Sequence, residues 1–473
     1  MIIGTIIQFS DNMEKNQTMI IAAVAIVAIV AVAAVLIVNP FGGNNDDSDA
    51  DDMRCLLRVY GNADMNNYLD NDDLAYIKDI VDEKKVWDPL SNPLADTNGD
   101  NQITMEDYNL VKGYLDGKAS TMYYMDWDNK RASVDYPLGN QLTGDNGIVV
   151  VFTTGLDIFR TLGYYDKVTL MCNSDIAVSS IDPALYPGID KIESYSVPRM
   201  THTADTYEMF VEKNIKVVLA EQRFLNETFL TAAEEDFDTH HVNVIKLPTN
   251  RYMKGITWED TLVTLGVMFN KQDATKAYID TLTNVEKEIE DAVNSAKVTE
   301  KSILIPYFAD GYDLNPLYID SRGTSGIFTA DVYLTEMIPL KSAIDLKTAD
   351  GFGEVDVEQI IEKNPDVLVV AAFGYATNKD FTKDQYESQV KEMCAQFRTL
   401  GYNKPIYVLP FESCVLAGPS FALVVSSLIW GNDAFNADSA WSGFYDFFKK
   451  YMGFTGSLDD LKNSKFAPWE YKN

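Results

Sequence analysis

Hydrophobic and polar positions follow two distinct rhythms along this chain of 473 residues. Short apolar runs recur at Ile148–Phe152, at Val168–Cys172, and in KVVLAEQ, VNVIKLP, KSILIPYF, DVLVVAAF and PIYVLPFE. Each lies between helical or loop segments; the first is followed by a TTG turn and a helical stretch over Leu156–Leu162. Strands alternating with helices predict parallel βαβ units. From Gln272 to Ser295 the rhythm changes, with Ala274, Ala277, Ile279, Leu282, Val285, Ile289 and Val293 near helical spacing. About 24 residues at 1.5 Å each predict a helix of roughly 36 Å, enough to cross a domain. The expected fold class is therefore α/β, with lobes over 148–271 and 297–473 joined by one long connector helix over 272–296.

Ahead of the lobes the pattern is different. MIIAAVAIVAIVAVAAVLIV, Met19–Val38, is 20 residues without a charge, long enough to cross the hydrocarbon core. It lacks a clear cleavage site and a lipobox-type cysteine, so a transmembrane anchor over 18–38 is expected, with a cleaved signal peptide as the alternative. Lys15 before the span and Asp46, Asp47, Asp49, Asp51 and Asp52 after it favour a cytoplasmic segment 1–17, with the bulk of the chain extracytoplasmic at the cell membrane. Met13 is an alternative start. The acidic stretch 39–53 reads as a solvated linker, 54–118 as a small all-α module, and 119–147 as a second, less ordered linker.

Composition narrows the function. With 71 acidic against 39 basic residues the formal net charge is −32, which repels nucleic-acid phosphates and anionic headgroups. Four scattered cysteines, Cys55, Cys172, Cys394 and Cys414, show neither a zinc spacing nor a disulfide framework, and leave open only a Cys394–Cys414 pair. No GxSxG, HExxH, Gly-rich phosphate loop or Ser/His/Asp arrangement is evident, and the only histidines are His202, His240 and His241. No catalytic residue is therefore assigned, although paired carboxylates for glycoside hydrolysis cannot be located by sequence.

Two Asp-rich loops carry cation chemistry. DTNGDNQITMED, Asp96–Asp107, sets Asp96, Asn98, Asp100, Thr104 and Asp107 at positions 1, 3, 5, 9 and 12, with the Gln102 carbonyl at position 7. NADMNNYLDNDD sets Asn62, Asp64, Asn66, Asp70 and Asp73 at the same places, with one charge fewer. A hard cation such as Ca2+ needs six to eight oxygens, which such a loop can gather before a helix opens. The twelfth position is Asp rather than Glu, and each loop precedes a short helix, LAYIKDIV or YNLVKGYL; in these respects the module resembles a type I dockerin. Asn67 and Asn101 replace the common glycine at position 6. The resemblance implies two bound Ca2+ ions and docking to a cohesin-bearing protein, with Asn71, Asp72, Met105 and Glu106 near the recognition positions.

A heptad also repeats: EMFVEKN at Glu208–Asn214 and EQIIEKN at Glu358–Asn364. Each reads as a helix running into a buried strand, on either side of the long helix. With LDIFRTLGYYDKVTL, NPDVLVV and PIYVLPFESCVLAGPSFALVVSSLIWGNDAF, this arrangement resembles the iron-siderophore, haem and cobalamin class of substrate-binding proteins for ABC importers, over about 320 residues. The resemblance implies two Rossmann-like lobes of periplasmic-binding-protein type III, a metal chelate as transported ligand, no organic cofactor, and permease contacts at Glu208 and Glu358. The first copy lacks the Pro-Asp of the family's motif. Thr153, Thr154, Arg199, His202, Tyr307, Phe308, Tyr312, Arg322, Phe373 and Tyr375 are the candidate ligand residues, since aromatic faces suit a macrocycle and arginines suit carboxylates or catecholates. A dockerin-tethered interaction protein and a polysaccharide-processing component are the alternative readings.

Overall fold

The computed structural model describes residues 55–151, 153–172, 181–195, 204–221, 225, 227–249, 256–296, 298–308, 317–320, 340–344, 352–372, 378–410, 418–431 and 435–472. The expected segments 1–17, 18–38 and 39–53 lie outside them. Among the described residues no helix is long and apolar enough to cross a membrane.

An antiparallel hairpin, β1 (Thr121–Met125) and β2 (Arg131–Asp135), precedes the first lobe. Strands β3 (Gly147–Val150), β4 (Val168–Cys172), β5 (Glu193–Tyr195), β6 (Ile215–Ala220) and β7 (Asn243–Lys246) then form a wholly parallel sheet in the order β5-β4-β3-β6-β7. Every residue of β3 is buried, as the continuous apolar run requires of a strand covered on both faces. The TTG stretch, expected as a turn, opens the helix Thr153–Thr161. Gly155 permits its close packing, because a Cβ there would lie 2.8 Å from the Val150 side chain.

The second sheet contains β8 (Lys301–Leu304), β9 (Pro306–Phe308), β10 (Leu317–Asp320), β11 (Leu340–Ser342), β12 (Phe352–Val355), β13 (Val367–Ala372), β14 (Ile406–Pro410) and β15 (Trp469–Tyr471). Strands β11, β8, β13 and β14 are parallel neighbours. The antiparallel strands β10 and β12 extend the sheet from β9, and β15 closes onto β14.

The long helix spans Gln272–Ala296, 25 residues, between the two sheets in chain order. Thr275, Tyr278, Ile279, Leu282 and Ile289 are its buried positions, one stripe at helical spacing. They pack against two partners. On one side is the fully buried helix Trp258–Met268, capped by reciprocal Thr257 and Asp260 bonds. Its Gly266 comes so close that a Cβ would lie 2.3 Å from the Thr275 hydroxyl. On the other side, Tyr278 packs edge-on to Phe447 and Tyr451 of the helix Ala437–Tyr451, and Tyr451 Oη donates to the Ala277 carbonyl. One hydrophobic cluster runs through these helices into both sheets.

The regions expected as a separate module (54–118) and a linker (119–147) differ from expectation. The helices Asn71–Val81 and Met105–Leu115 are present, but Leu57, Val59, Leu69, Ile77, Val111 and Tyr114 belong to the same cluster as the long helix. Backbone bonds fix the join: Leu56 N donates to Asp260 Oδ1 at 2.8 Å and Arg58 N to Thr264 Oγ1 at 3.0 Å. The buried Arg58 guanidinium donates to the Met125 and Asp126 carbonyls and to Asn129 Oδ1. The supposed linker carries β1 and β2, whose Met122, Tyr124 and Val134 are buried together with Trp127. It covers the open edge of the first sheet: Trp127 N donates to the Lys246 carbonyl, and Tyr124 Oη accepts from Lys246 N and donates to the Val244 carbonyl. An uncovered parallel edge would present unpaired backbone groups to other chains.

The cysteines Cys55, Cys172 and Cys394 are buried and form no disulfide among the described residues, while Cys414 lies outside them. Burial pushes the Cys394 thiol up to about 12, consistent with an unreactive core residue.

The repeated heptad has a structural cause. The helices Ala204–Glu212 and Val357–Lys363 both stop at an asparagine in the left-handed region, Asn214 at φ 52° and Asn364 at φ 45°. Asparagine tolerates this conformation better than most residues, which lets each chain turn into β6 or β13. The copies diverge next. Asp366 accepts from Ser302 N and Ser302 Oγ and pairs with Lys404 at 3.0 Å, pinning β13 to β8. Lys216, its counterpart, reaches the His240 carbonyl instead.

The Ser302 backbone, Lys404 and the Ser302 hydroxyl hold the Asp366 carboxyl at about 2, below its ordinary 3.8. Because the folded value is the lower one, this contribution is complete above about pH 4 and is lost as the pH falls through about 2. Asp366→Asn is therefore expected to lower stability at neutral pH slightly and to flatten the loss between those pH values in acid titrations followed by circular dichroism. An acid limb of unchanged slope would remove this pin from the account.

Candidate functional site

In the first sheet the chain begins at β3, proceeds outward through β4 and β5, and then returns to the other side of β3 with β6 and β7. The order thus reverses between β3 and β6, and a crevice opens at the carboxyl ends of such a pair. Thr153 and Thr154 follow β3 at this point. Thr154 is buried and Thr153 half-buried at the first turn of the helix Thr153–Thr161.

Glu221 directly follows β6 and is 1% exposed. Its carbonyl accepts from Leu225 N at 2.9 Å. Sequence reasoning missed it. The available signal was a charged residue placed immediately after the apolar run IKVVLA, where nothing in the periodicity calls for one.

Behind the two threonines, Asp157 is buried on the same helix and accepts from Tyr186 Oη at 3.0 Å. The Arg160 guanidinium lies over the Tyr165 ring at 4.0 Å. The Asp157–Tyr186 bond holds the helix against the turn containing Tyr186.

In the second lobe, Tyr307 and Phe308 lie on β9; Tyr307 pairs with Ala371 of β13 and Tyr318 of β10. Their side chains are not among the described features. Arg199, His202, Tyr312, Arg322, Phe373 and Tyr375 lie outside the described residues. Of the expected ligand residues, Thr153 and Thr154 are thus the two whose burial is described, at the point where the strand order reverses.

Glu208 and Glu358 are both exposed on the two equivalent helices. Glu208 is the fifth residue of its helix and Glu358 the second of its own, so they match by distance from the terminating asparagine. The adjacent His240 and His241 are exposed in the turn before β7, where His241 has φ 53°. A cavity of about 460 Å3 opens beside that turn, between the hairpin, β7 and the helix Glu227–Thr239, with Asp135, Glu234, Asp238 and Lys246 in its lining.

The two Asp-rich loops fold upon their own backbones. Asp96 gathers Gly99 N and Asp100 N on one oxygen and Asn101 N on the other, and Asp107 accepts from Asn98 N and Thr104 N. Gly99 and Asn101 have φ 79° and 65°, so Asn101 occupies the conformation glycine takes at position 6. Asp100 and Gln102 are exposed. Arg131 of the hairpin donates to the Asp96 and Thr97 carbonyls while stacking on Tyr60 and Tyr123.

In the other loop, Asn62 is buried and its amide donates to the Leu57 and Asn66 carbonyls. Asp73 is buried as well, with Ala63 N and Asp64 N on one oxygen and Asp70 N on the other. Burial, reinforced by the Asp64 charge, pushes Asp73 up to about 8. Asp64 is half-buried, and burial together with the Asp70 charge raises its own value. Among the described residues no three Asp, Glu, His or Cys side chains converge on a point that would hold a metal ion. As arranged, the loops do not present a complete carboxylate cage.

Among solved structures, the chain is similar to a TroA-like periplasmic binding protein, FepB, of Veillonella parvula, with 14% identity over 71% of this chain and 97% of that one and a TM-score of 0.49. It is similar to a structure titled as an ABC-type Fe3+-hydroxamate transport system of Saccharomonospora viridis, with 17% identity over 66% and 98% and a TM-score of 0.41. A periplasmic haem-binding protein of Pseudomonas aeruginosa gives 14% identity over 60% and 92% and a TM-score of 0.44. No curated protein matches the chain. Residues 216–389, which run from β6 across the long helix into the helix Lys383–Thr399, match the family model described as Periplasmic binding protein.

Proposed function

We propose that the chain is the solute receptor of an ABC importer, holding a metal chelate (a ferric siderophore, haem or corrinoid) in the crevice between its lobes and passing it to a permease. The observation that carries this reading is the family match, which spans parts of both sheets and the whole helix between them. The reversed strand order beside Thr153, Thr154 and Glu221 supports it, since ligands of open α/β sheets sit at such a point. The chelate class rests on the family resemblance. No catalytic step is involved. With 18–38 as an anchor, the receptor would stand on the outer face of the cell membrane.

Glu208 and Glu358 suit permease docking because both are exposed on corresponding helices of the two lobes. Exposed ion pairs contribute little affinity but set orientation and encounter rate.

For the cation loops, we propose that 96–107 takes Ca2+ by re-aiming carboxylates around the Asn98 and Gln102 oxygens, with Asp96, Asp100 and Asp107 as its acids. Loop 62–73 is the weaker candidate, because the Asn62 amide already serves two carbonyls and Asp73 is buried among backbone donors. Cohesin docking is a second reading of the same segment. Asn71, Asp72, Met105 and Glu106 all remain exposed although the segment is packed onto the lobe, and this favours it.

Three outcomes are expected. The chain from residue 54 onward, retaining the Arg58 and Leu56 contacts, should gain several degrees in thermal midpoint with at least one of hemin, a ferric hydroxamate and a corrinoid at saturating concentration. Flat curves across that panel would end the receptor reading. Reversing both Glu208 and Glu358 to lysine should cut uptake by about ten-fold or more while ligand affinity stays within about two-fold; normal uptake would exclude them as docking contacts. Excess Ca2+ over chelator should raise the midpoint of the same chain, and Asp100→Asn should remove most of that gain; a midpoint indifferent to Ca2+ would dismiss the site.

A further inference from the structure

The ammonium of Lys465 joins three distant parts of the chain. It pairs with Asp182 Oδ2 at 2.8 Å, donates to the Asn378 carbonyl at 2.6 Å, and donates to the Phe381 carbonyl at 2.9 Å. These three acceptors match the three N–H donors of a lysine. The side chains of Lys465 and Asp182 are 7% and 17% exposed, so this is a largely dehydrated pair with its hydrogen bonds satisfied. Removing one member of such a pair costs far more than losing a surface ion pair.

The partners belong to different lobes. Asp182 follows β4 in the first lobe, and Asn378 and Phe381 follow β13 in the second. Beside the ammonium, Ile181 and Asn378 form an antiparallel β-bridge, a direct backbone link between the lobes. The link continues inward on the first-lobe side. Asp182 Oδ1 accepts from Ala184 N, its carbonyl accepts from Tyr186 N, and Tyr186 Oη reaches Asp157 on the helix that opens with Thr153 and Thr154. Ile181, Leu185, Tyr186 and Phe466 are all buried in the common core.

We infer that Lys465 is the clasp of an interlobe latch, which ties the chain leaving β4 to the chain leaving β13 and so fixes the opening of the lobes at one rim of the crevice. The inference stands on the contacts alone and does not require the solute-receptor reading. Its consequence for a receptor is a crevice formed before ligand arrives, with little swing left for closure.

Hydrogen exchange read by mass spectrometry tests this on the chain from residue 54 onward, without added ligand. Peptides covering 181–186 and 378–381 are compared in the parent chain, Lys465→Met, Lys465→Arg and Asp182→Asn. The asparagine can still accept from Ala184 N, so that variant removes the charge while sparing the turn. In both Lys465→Met and Asp182→Asn the two segments should exchange about ten-fold faster or more and do so together, while β3 and β8 keep their protection. Lys465→Arg should retain more protection than the methionine variant. If Lys465→Met deprotects β3 as well, the decision passes to Asp182→Asn. Protection of 378–381 that is unchanged in Asp182→Asn would overturn the latch, because a first-lobe charge would then have no hold on the second lobe.

Discussion

Both lobes and the segment ahead of them depend on the burial of one helical stripe. Thr275, Tyr278, Ile279, Leu282 and Ile289 face inward along the long helix, and burying a large apolar side chain contributes about 1.5–3 kcal/mol. Because one rigid helix carries the stripe, its packing also fixes geometry. The buried helix Trp258–Met268 approaches along Gly266, and the aromatic rings of Phe447 and Tyr451 close from the other side. The start of the long helix is gripped separately: Gln272 exchanges two hydrogen bonds with the Leu69 backbone, and Tyr68 Oη reaches Asp273. Residues within the 62–73 loop therefore set the end of the element on which the lobes are mounted.

This arrangement changes how the acidic N-terminal segment is understood. A tethered calcium module would leave its partner domain indifferent to its state. Here the first loop is tied to the long helix through Leu69, and the second is tied to the hairpin through Arg131. The hairpin in turn covers the edge of β7. Any displacement at either loop thus has a short covalent and hydrogen-bonded route to the two lobes. A second tie spans most of the chain, since Lys465 pairs with Asp182 of the first lobe.

What the sequence made legible follows from interaction range. The long helix and the parallel strands were legible because their apolar periodicity is local and sustained, as at Ile279, Leu282 and Ile289 or in VLVV of β13. The EKN repeat was legible too, though its asparagine proves to be a helix stop, a role that helix composition does not reveal. The hairpin was missed because MYYMDWDNKRASV mixes polar and apolar positions, and its burial of Trp127 depends on an edge strand over a hundred residues later. Glu221 and Lys465 were illegible for a related reason: a lone charge reads as solvated surface until the fold shows what encloses it. The loop spacing sets which residues carry oxygens, but it does not determine where carboxylate oxygens point, and Asp96 and Asp107 point at backbone amides.

Their shared core makes the segment from residue 55, the first lobe and the long helix one cooperative body. Native-state hydrogen exchange across a denaturant series measures this directly. The account predicts that amides of Leu57 and Val59, of β3, and of the long helix around Leu282 exchange with one common free energy and one common denaturant slope. Exchange of the Leu57 and Val59 amides at a clearly lower free energy and smaller slope, with β3 and the long helix still protected, would contradict it and restore the picture of an independent module on a tether.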